Sequence, residues 1–170
     1  SMIRKARIAD LIPVKKITED CAAAPIEQGI YQWNSEYPSL TAFRKDIEKQ
    51  SLYVYENKGA VIGCIMFSQE KDPLYNSIHW LTDDYKNLYI HRLAVHPNNQ
   101  KQGIARQMMD FAEAYATQEL IISIRLDTFS KNLRNIRFYK ARGYTKLGEV
   151  YFVKQSQDPF HCFEKVVKRI

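Results

Sequence analysis

Apolar positions along the chain switch between helical and strand spacing, and the switches lay out the elements. Residues 2–8 (MIRKARI) alternate as a first strand. Asp10 stands at a helix start, with Leu11, Val14, Ile17 and Cys21 falling on one face. An irregular aromatic stretch from Gly29 to Ser39 follows, ended by Pro38, and Ser39 or Thr41 then caps a second helix that turns Leu40, Phe43 and Ile47 inward. The period next drops to two. Residues 52–56 (LYVYE), the turn residues Asn57, Lys58 and Gly59, and residues 60–67 (AVIGCIMF) predict a hairpin. Residues 87–96 (NLYIHRLAVH) are apolar enough for a central strand, and Pro97 ends it.

From Gln102 to Glu119, Ile104, Met108, Phe111, Ala112 and Tyr115 recur at helical spacing. A β-branched strand at 121–129 (IISIRLDTF) leads to a short helix from Asn132 to Arg142, with Gly143 placed to end it. Residues 149–153 and 160–168 predict two closing antiparallel strands. The order β-α-α-β-β-β-α-β-α-β-β predicts an α+β fold with a mixed, mostly antiparallel central sheet and helices on both faces. Strict βα alternation, the mark of a doubly wound fold, is missing.

Composition narrows the class. The 170 residues suit a single domain, expected over 2–170, with Ser1 ahead of Met2 reading as a tag remnant. Hydrophobic residues at 45% and charged residues at 26% are the balance of a globular chain. The excess of 25 basic over 19 acidic side chains, +6, favours an anionic ligand without establishing nucleic-acid binding. No apolar run reaches the ~18 residues of a membrane span. Cys21, Cys64 and Cys162 are odd in number and lack CxxC spacing, which argues against a disulfide framework and a structural zinc site. The expectation is a reduced, cytoplasmic, metal-free protein with no membrane association.

The chemistry concentrates in LAVHPNNQKQGIARQMM, Leu93 to Met109. A buried strand ends, a polar loop follows, and a helix opens at about Gln102 or Gly103. First-turn N–H groups of a helix lack carbonyl partners, and the macrodipole leaves that end positive. Gly103 and Ala105 leave the backbone open to a bulky anion, and Lys101 and Arg106 add cationic charge. This is the pattern of a diphosphate cradle. A plain strand–turn–helix with a small residue at a tight turn fits this segment equally well. A P-loop and a dinucleotide fingerprint are excluded, since neither GxxxxGK[ST] nor GxGxxG occurs.

A second segment, SKNLRNIRFYKARGY from Ser130 to Tyr144, follows the next strand. QxxGxA after a strand ending in AVHP, with NIRFYxxxGY further on, resembles the GNAT N-acetyltransferase superfamily over roughly Leu88 to Tyr144. Gln100 stands at the first loop position and Ala105 replaces the second glycine, a change that keeps the backbone accessible.

The resemblance implies acetyl-CoA as co-substrate and an amine as acceptor. It implies that backbone groups of Leu93, Ala94 and Val95 pair with the pantetheine arm. The N–H groups from Gln100 through Lys101, Gln102, Gly103, Ile104 and Ala105 to Arg106 would hold the diphosphate. Asn132 matches a cofactor-contacting asparagine, and Tyr139 matches the tyrosine near the thioester sulfur. Asn135 stands where the family more often has alanine and receives no role. Homodimers are frequent in the family.

Acyl transfer to an amine needs a neutral nucleophile and a proton for the departing thiolate. Tyr139 is the candidate acid. A lysine-type amine costs about 4.6 kcal/mol to deprotonate at pH 7, so such an acceptor needs a base. Tyr89 and His91 on the central strand are the candidates, with Glu36 and Glu70 as partners from flanking loops. Tyr31, Trp33 and Tyr37 would line the acceptor side, where cation–π contact suits an amine; Trp80 and His79 line the cleft or cover the core. Competing readings are transfer of another acyl group, a non-catalytic CoA-binding sensor, and a nucleic-acid module. The last would use Lys131, Arg134, Arg137, Lys140 and Arg142, but no accompanying signature supports it.

Overall fold

The computed structural model describes residues 1–23 and 38–167. In chain order these form β1 (Met2–Lys5), α1 (Leu11–Ala23), α2 (Leu40–Glu48), β2 (Leu52–Asn57), β3 (Ala60–Ser68), a 3-10 turn (Pro73–Ser77) and β4 (Asn87–Val95). After them come α3 (Ile104–Gln118), β5 (Ser123–Phe129), α4 (Leu133–Ala141), β6 (Thr145–Val150) and β7 (Phe160–Val166). The strands build a seven-stranded sheet in the order β1-β2-β3-β4-β5-β7-β6. Among the described strands only β4 and β5 run parallel, the pair joined by a helical crossover through α3. The mixed α+β architecture is the one expected.

Local chemistry explains the elements. Leu11, Val14, Ile17 and Cys21 are buried on one stripe of α1. Ser39 caps α2 by accepting from the Ala42 N–H at 3.1 Å. Lys58 (φ 52°) and Gly59 (φ 79°) are both left-handed, the backbone a two-residue hairpin loop requires. Gly143 (φ 93°) ends α4.

One core lies between the sheet and α3/α4, built on Leu88, Ile90, Leu93, Met108, Leu126 and Tyr139. A second lies under α1 and α2, with Val14, Phe43, Cys64 and Ala94. A smaller third cluster gathers Tyr75, Tyr89, Phe129 and Phe160.

The central strand is irregular in an informative way. Met66 faces Arg92 and Phe67 faces Ile90, so His91 is an extra residue, a β-bulge. The bulge changes parity, which is why Leu88 and Ile90 before it share a core with Leu93 and Val95 after it. Pairing between β4 and β5 stops at Ile90 with Leu126, although both strands continue. The sheet therefore splays open from His91 onward.

Some expectations are corrected. The first strand ends at Lys5. Leu40, the opening residue of α2, is exposed because only Phe43 and Ile47 reach the core. β6 covers Thr145–Val150, not 149–153, and Tyr151 and Val153 are exposed beyond it. β6 packs closely on Ile78 at Gly148, where a Cβ would meet the Ile78 Cδ1 at 2.9 Å.

Candidate active site

Two cavities open where the splay and the start of α3 lie. The first, about 160 Å³, has Val95, Gln100, Lys101, Gly103, Ile104, Ala105 and Arg106 in its wall, together with Arg134, Asn135 and Phe138 from α4. Gly103 precedes α3 with φ 78° and Lys101 is also left-handed, which turns the loop sharply into the helix. The Gln107 N–H closes onto the Gly103 carbonyl, leaving the amides of Ile104, Ala105 and Arg106 as the orphan donors of the first turn. No acidic residue stands in that turn. The cradle thus combines oriented amides, a positive helix end and three cationic side chains.

The residues fit a diphosphate-bearing carrier on a further count. Asn135 is buried, and its amide nitrogen has no hydrogen-bond partner among the described residues. Leaving a buried donor unpaired costs about 1–3 kcal/mol, which a polar ligand group would relieve.

The second cavity, also about 160 Å³, occupies the splay itself. His91 and Leu93 of β4, Asp127 and Thr128 of β5, Tyr139 of α4 and Asp72 line it, with Phe152 and Gln155 closing one side. The His91 Nε2 lies 2.9 Å from the Glu70 carbonyl oxygen. A carbonyl can only accept, so Nε2 carries the proton and Nδ1 keeps the lone pair. Burial holds this imidazole below its ordinary pKa, so it is neutral at pH 7. Tyr139 is almost fully buried, its ring set against Tyr144 and Phe163.

Asp127, in the same cavity, is strongly altered by burial. Burial pushes its carboxyl up to about 7, against the opposing hydrogen bond from Tyr75 and with Asp72 adding to the rise. A carboxylate poised there can take and return a proton at neutral pH.

The predicted residues distribute unevenly. Tyr139, His91 and Leu93 meet in the splay cavity, while Val95, Gln100, Lys101, Gly103, Ile104, Ala105 and Arg106 meet in the cradle. Tyr89 does not line either cavity: its buried hydroxyl accepts from the Arg125 guanidinium at 2.9 Å, which gives it a place in the sheet's own polar network. The Ala94 side chain packs on the α1 face, and Gln102 lies outside both walls. Asn132 is the N-cap of α4, its Oδ1 accepting from the Asn135 N–H at 3.0 Å. Trp80 covers Arg125, 4.5 Å from ring centroid to guanidinium carbon. Tyr31, Trp33, Tyr37 and Glu36 lie outside the described residues.

Asp127 was not among the residues the sequence singled out, Asn135 was given no role, and Arg134 was grouped with the basic residues a nucleic-acid module would use. An acid inside the β-branched run IISIRLDTF was the available signal for Asp127. The basic face of α4 is partly spent, because Arg142 pairs with Asp110 at 2.7 Å and Glu113 at 3.0 Å while Arg134 lines the cradle.

Among the described residues, no group of three or more His, Cys, Asp or Glu could hold a metal ion, and no helix is long and apolar enough to cross a membrane. Cys21, Cys64 and Cys162 are free and buried.

The seven-stranded mixed sheet, opened between its two parallel strands and followed by the helix start of α3, is the fold of an acetyltransferase. The chain belongs to the acetyltransferase (GNAT) family, whose model matches residues 17–144. It is 26% identical over 115 residues to N-acetyltransferase family 8 member 3 of Rattus norvegicus. That match covers 66% of this chain and 47% of the relative, so the chain spans about half the length of the curated relative it matches. Its fold is similar to a GNAT-family acetyltransferase from Streptococcus agalactiae (TM-score 0.80, 21% identity, 99% of this chain and 96% of that one). It is also similar to a ribosomal-protein-alanine N-acetyltransferase from Brucella melitensis (TM-score 0.74, 18% identity, 98% and 99% covered).

Proposed function

We propose that the protein moves an acetyl group from acetyl-CoA to a primary amine by direct attack on the thioester. The observation that carries this reading is the shared cavity of Asp127 and Tyr139 at the open end of the β4–β5 pair, next to the amide cradle. Acetyl-CoA supplies an acyl group already activated as a thioester. The amides of Ile104, Ala105 and Arg106, with Lys101 and Arg134 nearby, would hold its diphosphate. The edge of β4 left unpaired after Ile90 offers backbone groups to an extended arm.

Asp127 and Asp72 make the splay cavity attractive to a cationic amine. Asp127 then takes the amine's proton, and the neutral nitrogen forms the new C–N bond. Tyr139 donates its hydroxyl proton to sulfur as the C–S bond breaks, the acetylated nitrogen gives up its second proton to restore the Tyr139 phenol, and the proton held by Asp127 leaves by solvent exchange. The neutral His91 ring lines the same cavity.

Thermal unfolding with acetyl-CoA, followed by a panel of amines assayed for free-thiol release, tests the proposal. The expected result is a raised melting temperature and thiol release with at least one primary amine, lost in Asp127→Asn. Stabilisation without thiol release from any amine would mark a CoA-binding sensor instead, and no stabilisation would remove the cradle.

A further inference from the structure

We propose that Tyr75, from the segment between β3 and β4, is a positioning residue for the Asp127 carboxylate: it fixes one oxygen and leaves the other to receive the acceptor's proton. The inference rests on the reading of Asp127 as the base, and it concerns a residue that neither motif contains.

The geometry carries it. Tyr75 sits in the 3-10 turn Pro73–Ser77, is 1% exposed, and its hydroxyl donates to the Asp127 Oδ2 at 2.5 Å. Among the described residues Oδ1 has no partner, although Asp127 lines the splay cavity. A carboxylate with one oxygen tied down cannot rotate freely, so the remaining lone pairs keep one direction.

The ring of Tyr75 is itself held on several sides. It packs against Trp80 (centroids 5.2 Å apart) and Tyr89 (5.9 Å), and its carbonyl accepts from the Trp80 indole N–H at 3.0 Å. Asp72 caps the turn by accepting from the Leu74 N–H. Trp80 in turn lies over Arg125, which hydrogen-bonds the Thr82 carbonyl. The segment before β4 is therefore pinned at both ends, with the Tyr75 hydroxyl held against β5.

A phenol donates to a carboxylate but gains little from a neutral carboxyl already carrying its proton, so the contact favours the charged form. The other groups around Asp127 are Asp72 at the start of the turn, Cys162 opposite it on β7, and His91, Arg92 and Tyr139 around the cavity. Of the hydrogen bonds formed by the described residues, Tyr75 alone donates to this carboxyl.

The test is a carboxyl carbon NMR titration of the protein labelled with 13C-aspartate, the Asp127 signal being assigned by its loss in Asp127→Asn. Wild type should titrate near neutrality, and Tyr75→Phe should move the midpoint up by about one pH unit. With acetyl-CoA and an amine accepted in the thiol-release panel, the acid limb of kcat/KM should move by the same amount. At pH 6 the variant should lose about 10-fold, with recovery at high pH. Placing 3-fluorotyrosine at position 75 keeps the packing, strengthens the donor and should move the midpoint down, so the proposal stays testable even where Tyr75→Phe fails to fold. An unmoved midpoint, or an equal rate loss at every pH, would overturn the role of Tyr75. Retention of the acid limb in Asp127→Asn would instead overturn the reading of Asp127, and the two failures are distinct.

Discussion

Arg125 and Glu164 are both completely buried, on adjacent strands β5 and β7, with Nε 2.9 Å from Oε2. Glu164 also accepts from the Leu81 N–H and from the hydroxyls of Thr82 and Ser123, each at 2.6 Å. The pair joins the segment before β4 to the sheet, and with it the turn that carries Tyr75.

Removing one member strands the other charge in the core. Arg125→Met should lower unfolding stability by about 3–5 kcal/mol in a urea titration. Arg125→Met with Glu164→Gln should cost less than the sum of the two single changes, because neither leaves an unpaired ion behind. Additive losses would mean that the two side chains act independently.

Gly103 is left-handed and lines the cradle, and a Cβ there would meet the Arg106 guanidinium nitrogen at 3.1 Å. Gly103→Val should raise the KM for acetyl-CoA at least about 10-fold and leave kcat nearly unchanged, since only carrier binding suffers. Steady-state kinetics with varied acetyl-CoA measures this. A kcat effect of the same size would place Gly103 in the chemical step.

Tyr139→Phe keeps the ring packing against Phe138, Tyr144 and Phe163 and removes only the hydroxyl. Turnover should fall by about 100-fold, with the acetyl-CoA dissociation constant changed less than about twofold. Stopped-flow thiol release and calorimetric titration separate the two quantities. Unchanged turnover would leave Tyr139 a packing residue.

Stability should depend on pH in a defined sense. Burial raises the carboxyls of Asp127 to about 7 and Asp46 to about 6, above their ordinary value of 3.8, so the folded protein keeps protons that the unfolded chain releases. Their contribution is fully present below pH about 4 and is lost as pH rises through 6 and 7. Asp127→Asn removes the larger part of that loss. Its stability relative to wild type should rise by about 1–3 kcal/mol between pH 5 and pH 8 in urea titrations. A flat difference across that range would show that Asp127 does not titrate in the native state.

The element order, the buried stripe of α1, the glycine at the start of α3 and the resemblance in residues 88–144 were all legible in the chain. Each depends on neighbours within a turn or two, where spacing reports burial directly. The insertion of β7 between β5 and β6 was not legible, because strand pairing joins residues far apart and leaves no periodic mark. The bulge at His91 lay equally out of reach: alternation predicts one face per parity, and an extra residue reverses it midway. The contact from Tyr75 to Asp127 spans 52 positions and exists only because the pinned segment folds across the sheet. Local pattern thus specified the strand, loop and helix start that build the proposed cradle. Long-range packing decided which carboxyl shares the cavity of Tyr139 and which hydroxyl holds that carboxyl, since those depend on which distant side chains are desolvated together.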